Sequence, residues 1–149
     1  PKTYGVVVPV ISENKTELNF LLSDWRRAWK HAVRVSLDQA TAHPILILSE
    51  DQSQVTYGDA EQGVLKTSQR FDFQPCVMGS KGFATGRCYW EVGVGTRAAW
   101  TLGVCREAVS KKGWIVLSPE EGFWTMRFYK NCYEALSSPV TPLLTTPFS

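Results

Sequence analysis

Hydrophobic and polar positions alternate one for one over 87–94, where Arg87, Tyr89, Glu91 and Gly93 interleave with Cys88, Trp90, Val92 and Val94. A period of two demands an extended strand with two unlike faces. A second apolar run, 99–105, carries Trp100, Leu102 and Val104 after a short Gly-containing turn, so 85–105 reads as two strands around that turn. Further short runs fall at 33–37, 45–48, 55–57, 76–78, 114–117, 123–128 and 133–136. Short strands spaced by roughly ten residues predict an antiparallel β-sandwich. Between them, 38–44 reads as a turn-rich link in which Pro44 biases His43 toward extended geometry, and 58–68 reads as a polar loop.

Before residue 33 the period changes. Leu18, Leu21, Leu22, Trp25, Ala28, Trp29 and Ala32 recur at intervals of three and four, the spacing of an amphipathic helix. Asn14 fits its N-cap, with Glu17 three residues on. Leu18, Leu21, Trp25, Ala28 and Ala32 also fit a short a/d seam, so a helix packed on its own domain and a coiled coil joining two chains both stay open. Residues 1–13 read as a flexible lead-in. The stretch 137–149 has three prolines and no alternation, so it reads as a tail. The expected partition is 1–13 lead-in, 14–32 helix, 33–139 β-domain and 140–149 irregular tail.

Composition narrows the function. Six Trp, five Tyr and seven Phe in 149 residues suit a β-rich core or a binding face. The net charge of +2 is too small to argue for nucleic acid. Cys76, Cys88, Cys105 and Cys132 form no CxxC pair and have no histidine close by. No metal site is expected; the cysteines read as reduced core thiols. The two histidines, His31 and His43, have no nucleophile in a recognisable setting. No phosphate-binding or dinucleotide-binding loop occurs, and Glu120–Glu121 reads as a solvated turn. Neither an enzyme nor a cofactor is expected. The apolar stretch 4–11 is broken by Pro9 and too short to span a membrane, which takes about 20 apolar residues. Between Lys81 and Lys130 eight basic residues face four acids, a surplus suited to an anionic ligand or an acidic peptide.

Several ordered motifs carry a resemblance. Leu37-Asp38, Thr41-Ala42-His43-Pro44 and Leu48-Ser49-Glu50-Asp51 resemble a PRY segment. Phe71, Cys76-Val77, Phe83-Ala84-Thr85-Gly86-Arg87 and Tyr89-Trp90-Glu91-Val92 resemble the opening of a SPRY domain. Trp100-Thr101-Leu102-Gly103-Val104-Cys105, Lys112-Gly113-Trp114, Gly122-Phe123-Trp124-Thr125 and Tyr133-Glu134-Ala135-Leu136 continue in family order. The basic segment Trp25-Arg26-Arg27-Ala28, with Lys30-His31-Ala32, resembles the link between a butyrophilin's membrane span and its cytoplasmic module.

The resemblance implies a bent, all-β SPRY sandwich that binds ligands through loops at one rim. It implies a non-catalytic, ligand-sensing or protein-binding module of an immunoregulatory membrane protein with immunoglobulin-like ectodomains and roles in T-cell regulation. That module would lie on the cytoplasmic side of the plasma membrane, anchored by a span outside this chain. The rim residues expected to contact a partner are Arg87, Arg97, Trp100, Arg106, Trp114 and Tyr129. Two departures qualify this. Cys88 stands where the family often has His, and a thiol supplies no cationic donor for a phosphorylated metabolite. The later strands of the family, with their LDYE-like motif, are not in the sequence, so a sandwich incomplete at its C-terminal side is expected. The alternatives are a substrate-recruiting SPRY domain of a tripartite-motif ubiquitin ligase and a product without independent function.

Overall fold

The computed structural model describes residues 4–7, 10–11, 32–83, 89–94 and 99–143, with the backbone alone at 4–7 and 10–11. Ten strands appear among the described residues: β1 (Tyr4–Val7), β2 (Val10–Ile11), β3 (Leu37–Asp38), β4 (Leu46–Leu48), β5 (Val55–Tyr57), β6 (Met78–Gly79), β7 (Ala99–Arg106), β8 (Phe123–Tyr129), β9 (Cys132–Ala135) and β10 (Thr141–Pro142). One sheet runs β10-β9-β8-β7-β1-β6-β3, with β2 also on β7, and β4 pairs with β5 in a second. The registered strand pairs are antiparallel. The all-β, antiparallel class expected from the alternation is therefore observed.

Strand alternation sends β7 side chains to opposite faces, and each face meets its own core. Cys105 and its register partner Phe123 lie in a cluster with Phe71, Cys76, Met78, Val109 and Ile115. Leu102 packs against the other cluster, built on Leu37, Ala42, Leu46 and Val77, with Phe83 and Trp90 at its margin. Phe71 and Phe123 are almost wholly buried, each contributing about 1.5–3 kcal/mol of hydrophobic stabilisation. At Gly103 the β8 backbone comes so close that a Cβ would sit 2.1 Å from the Trp124 carbonyl oxygen, so this strand position tolerates glycine alone. The β8–β9 connection is a two-residue turn with Lys130 at φ 50° and Asn131 at φ 62°. Two successive positive φ values match the right-handed twist of a hairpin.

Several expectations need correction. The lead-in at 1–13 supplies β1 and β2, which pair with β7 over Tyr4–Val7 and Val10–Ile11. The predicted strand at 87–94 is described from Tyr89 on, where only an isolated bridge between Tyr89 and Ala32 forms; β1 and β2 occupy the β7 edge a hairpin would have used. The predicted strand at 33–37 is reduced to Leu37–Asp38. The run at 114–117 is not a strand: the backbone groups of Ile115 bond the Gln74 side chain, and the Val116 carbonyl accepts from the Ser118 N–H in a local turn. The tail contributes β10, since Thr141 and Pro142 pair with Ala135 and Glu134. Cys76 and Cys105 are buried as expected, but Cys132 is exposed at the edge of the β8–β9 turn. The helix expected at 14–32 lies outside the described residues, apart from Ala32.

Candidate protein-interaction surface

Three aromatic residues in sequence order show how the surface is made. Phe71 is fully buried, whereas Phe73 is 58% exposed. An extended backbone would put residues 71 and 73 on one face; the bend at 72–74 breaks that alternation, so one ring is buried and the other exposed. Facing this stretch is the loop that follows β7, where Ile115 is buried while Trp114 is 74% and Val116 56% exposed. The Phe73 and Trp114 rings meet edge-to-face with centroids 5.7 Å apart, the arrangement aromatic quadrupoles favour. Two large rings facing solvent retain an apolar area that an interior would have taken up.

The pair is fixed from beneath. The Gly113 N–H donates to Asp72 Oδ1 at 2.7 Å. Gln74 Nε2 donates to the Ile115 carbonyl at 2.7 Å, and the Ile115 N–H donates back to Gln74 Oε1 at 3.1 Å. The Gln74 amide thus satisfies both backbone groups of Ile115, as a neighbouring strand would. The Asp72 N–H donates to the Lys111 carbonyl at 3.3 Å. Lys112 Nζ donates to the Arg70 carbonyl at 2.8 Å and to the Thr67 carbonyl. Gly113, at φ 66°, takes the left-handed conformation that lets the loop turn toward Asp72. The rings are therefore held before any partner arrives, which lowers the ordering cost of binding.

Arg70 extends the frame. Its Nε donates to the Leu65 carbonyl, and its NH1 group donates to the carbonyls of Gln39 and Ala42. His43 lies beside this frame. Burial pushes its imidazole below the usual 6.5, against the pull of Glu61 and of a hydrogen bond to the Asp72 backbone. Its Nδ1 accepts from the Ile45 N–H at 3.1 Å, which requires an unprotonated nitrogen there. Burial also pushes the Cys76 thiol up to about 12, with Cys105 adding to the effect, so Cys76 stays protonated and unreactive. Among the described residues no group of three His, Cys, Asp or Glu side chains is placed to hold a metal.

The expected rim residues are scattered. Arg87 and Arg97, like Cys88, lie outside the described residues. Trp100 is buried, stacked on Phe128 at 5.8 Å and edge-on to Tyr133 at 6.0 Å. Arg106 is exposed at the end of β7, with its guanidinium 5.5 Å from the Trp124 ring centre. Tyr129 is half-exposed under Lys130 Nζ, 5.2 Å from its ring centre. Because Cys105 pairs with Phe123 and Trp100 with Phe128, Arg106 and Tyr129 stand at opposite ends of the β7–β8 pair, about 20 Å apart at strand rise. Of the four that are described, Trp114 alone belongs to the exposed aromatic pair. Sequence reasoning missed Phe73, Asp72 and Gln74. The Phe-Asp-Phe pattern carried no signal for this, because a period of two puts both rings on one face and it is the bend at 72–74 that separates them.

Comparison with known proteins fits this architecture. Residues 35–83 match the family model described as SPRY-associated domain, and residues 87–148 match that described as SPRY domain. The chain is 51% identical over 115 residues to human butyrophilin subfamily 2 member A2, an alignment covering 77% of this chain and 22% of the relative. It is 50% identical over 141 residues to human erythroid membrane-associated protein, covering 94% of this chain and 30% of the relative. It is 46% identical over 118 residues to mouse E3 ubiquitin-protein ligase TRIM21, covering 79% and 24%. The chain thus spans less than a third of each of these relatives. With a PRY and a SPRY segment in succession and about half of its aligned residues shared with butyrophilins, the chain belongs to the PRY–SPRY family.

Proposed function

We propose that this chain is a non-catalytic protein-recognition module whose binding surface centres on Phe73, Trp114 and Val116. The observation that carries this reading is the edge-to-face pair at 5.7 Å, exposed to solvent yet fixed by the Asp72 and Gln74 hydrogen bonds. Rigid exposed aromatics are the residues most often found at the energetic centre of interfaces. On this reading residues 33–139 form the recognition unit and 14–32 link it to the rest of a butyrophilin-like immunoregulatory membrane protein, on its cytoplasmic side. The identity with butyrophilins supports that parent. The identity with a protein named as a ubiquitin ligase supports a second reading, in which the same surface recruits a ligase substrate.

The test is a photo-crosslinking amino acid placed at Val116, with Ser53, on the β4–β5 loop, as the control position. Adducts formed from 116, absent from 53 and lost in Trp114→Ala are expected. Equal adducts from both positions, or adducts indifferent to Trp114→Ala, would remove the aromatic pair from the binding surface.

A further inference from the structure

We infer that the segment recognised by the Phe73–Trp114 surface is acidic: an extended stretch of a partner protein with an apolar anchor flanked by carboxylates. This rests on the reading of the aromatic pair as the binding surface and adds the chemistry of what it binds.

The inference comes from charge around the pair. The two stretches that build the surface, 64–74 and 109–117, carry Lys66, Arg70, Lys111 and Lys112 against a single acid, Asp72. That acid accepts from the Gly113 N–H and keeps its charge, so the two stretches carry a net +3. Arg70 and Lys112 spend their donors on backbone carbonyls, which satisfy hydrogen bonds but leave a full positive charge on each. Lys111 makes one long contact with the Val109 carbonyl at 3.5 Å. Among the described residues the one ion pair is Arg127–Glu134, on β8 and β9, away from this surface. Glu61, the next acid toward the chain start, bears on His43.

Four cations without a carboxylate partner therefore lie on the two stretches that carry the exposed rings. Such a surface repels a basic partner and draws an acidic one, in rate and in register. The rings supply the apolar contact, and the cations set the sign of what flanks it. Leu65, 81% exposed, adds an apolar side chain beside Lys66 on the stretch whose Thr67 and Arg70 carbonyls bond Lys112.

The test uses the full chain and three labelled synthetic peptides, read by fluorescence anisotropy. One has a central Leu-Trp anchor flanked by Asp and Glu, one has the same anchor flanked by Lys, and one is acidic with Ser in place of the anchor. The acidic anchored peptide is expected to bind best. Its affinity should drop at least about tenfold in Trp114→Ala, as for an interface hot spot, and again in the Lys66→Glu, Lys111→Glu double variant. Raising salt from about 0.1 M to about 1 M, which shortens the screening length from about 10 Å to about 3 Å, should weaken it as well. Lys111→Gln provides a milder second variant should the double exchange fail to fold. Equal binding of the Lys-flanked peptide overturns the acidic partner but leaves the aromatic surface standing. Equal binding of the anchorless acidic peptide, or binding unchanged by Trp114→Ala, overturns both. No binding by any of the three overturns the inference.

Discussion

The aromatic cluster on β7, β8 and β9 and the aromatic pair on the loops are built from similar residues and have opposite fates. Trp100, Phe128 and Tyr133 pack on one another at 4.8–6.0 Å, with Trp100 buried. Phe73 and Trp114 are just as close at 5.7 Å, yet both face solvent. The difference lies in what holds the backbone. In the strands, register fixes three rings on one sheet face, because Trp100 pairs with Phe128 and Phe128 with Tyr133. In the loops no ladder forms, and two polar side chains, Asp72 and Gln74, hold the chain with the rings pointing outward. A hydrophobic residue in a regular ladder thus serves the core, while one on a side-chain-braced loop is available for recognition.

The comparison can be broken most severely on the strand side. Trp100→Ala should lose about 3–5 kcal/mol of stability, the usual cost of emptying a buried aromatic site, measured by denaturant unfolding; a loss below about 1 kcal/mol would show that the trio does not carry the sheet. Gln74→Ala should lose about 1–3 kcal/mol, since it leaves the Ile115 N–H and carbonyl unsatisfied beside a buried side chain. Hydrogen exchange should then rise at Ile115 while β7 and β8 stay protected.

A smaller, pH-dependent effect tests the loop frame through His43. Its native pKa lies below the unfolded 6.5, so the unfolded chain binds the proton more readily. Stability should be fully present above pH 6.5 and decline as pH falls from there through the lower native value. In His43→Asn this component of the pH dependence should vanish, as read from thermal unfolding across the range. The smallest effect is expected from Trp114→Ala, within about 0.5 kcal/mol of the parent in stability, even though it removes recognition. A large stability loss there would mean that Trp114 is a structural residue.

The sequence carried the fold class plainly, because period-two patterns at 99–105, 123–128 and 133–136 survive as β7, β8 and β9. It was less informative wherever pairing is decided at a distance. The alternation over 87–94 is as strong as that of β7, yet β1 and β2 take the edge it would have used. Likewise 114–117 has strand-like apolar residues, but its partner is the side chain of Gln74, forty-one residues away from Ile115. The site was legible in part. Trp114 stands out as a tryptophan after Gly113, whereas Trp100 has equal aromatic character and is buried. Exposure depends on which face of the sheet is covered, and a linear pattern does not encode that.

The Gln74 bridge has a consequence for how such a surface diversifies. A strand paired by a ladder shifts every later side chain when its length changes. A loop whose far end is pinned by the Gln74 amide at Ile115 transmits no such shift past that residue, because its register is reset there. Residues 110–114 form a cassette between Val109 and Ile115, both buried in the same cluster. New sequences, and new lengths, can be grafted between those two anchors while the sheet beneath stays in register, so binding specificity can be rewritten without refolding the domain.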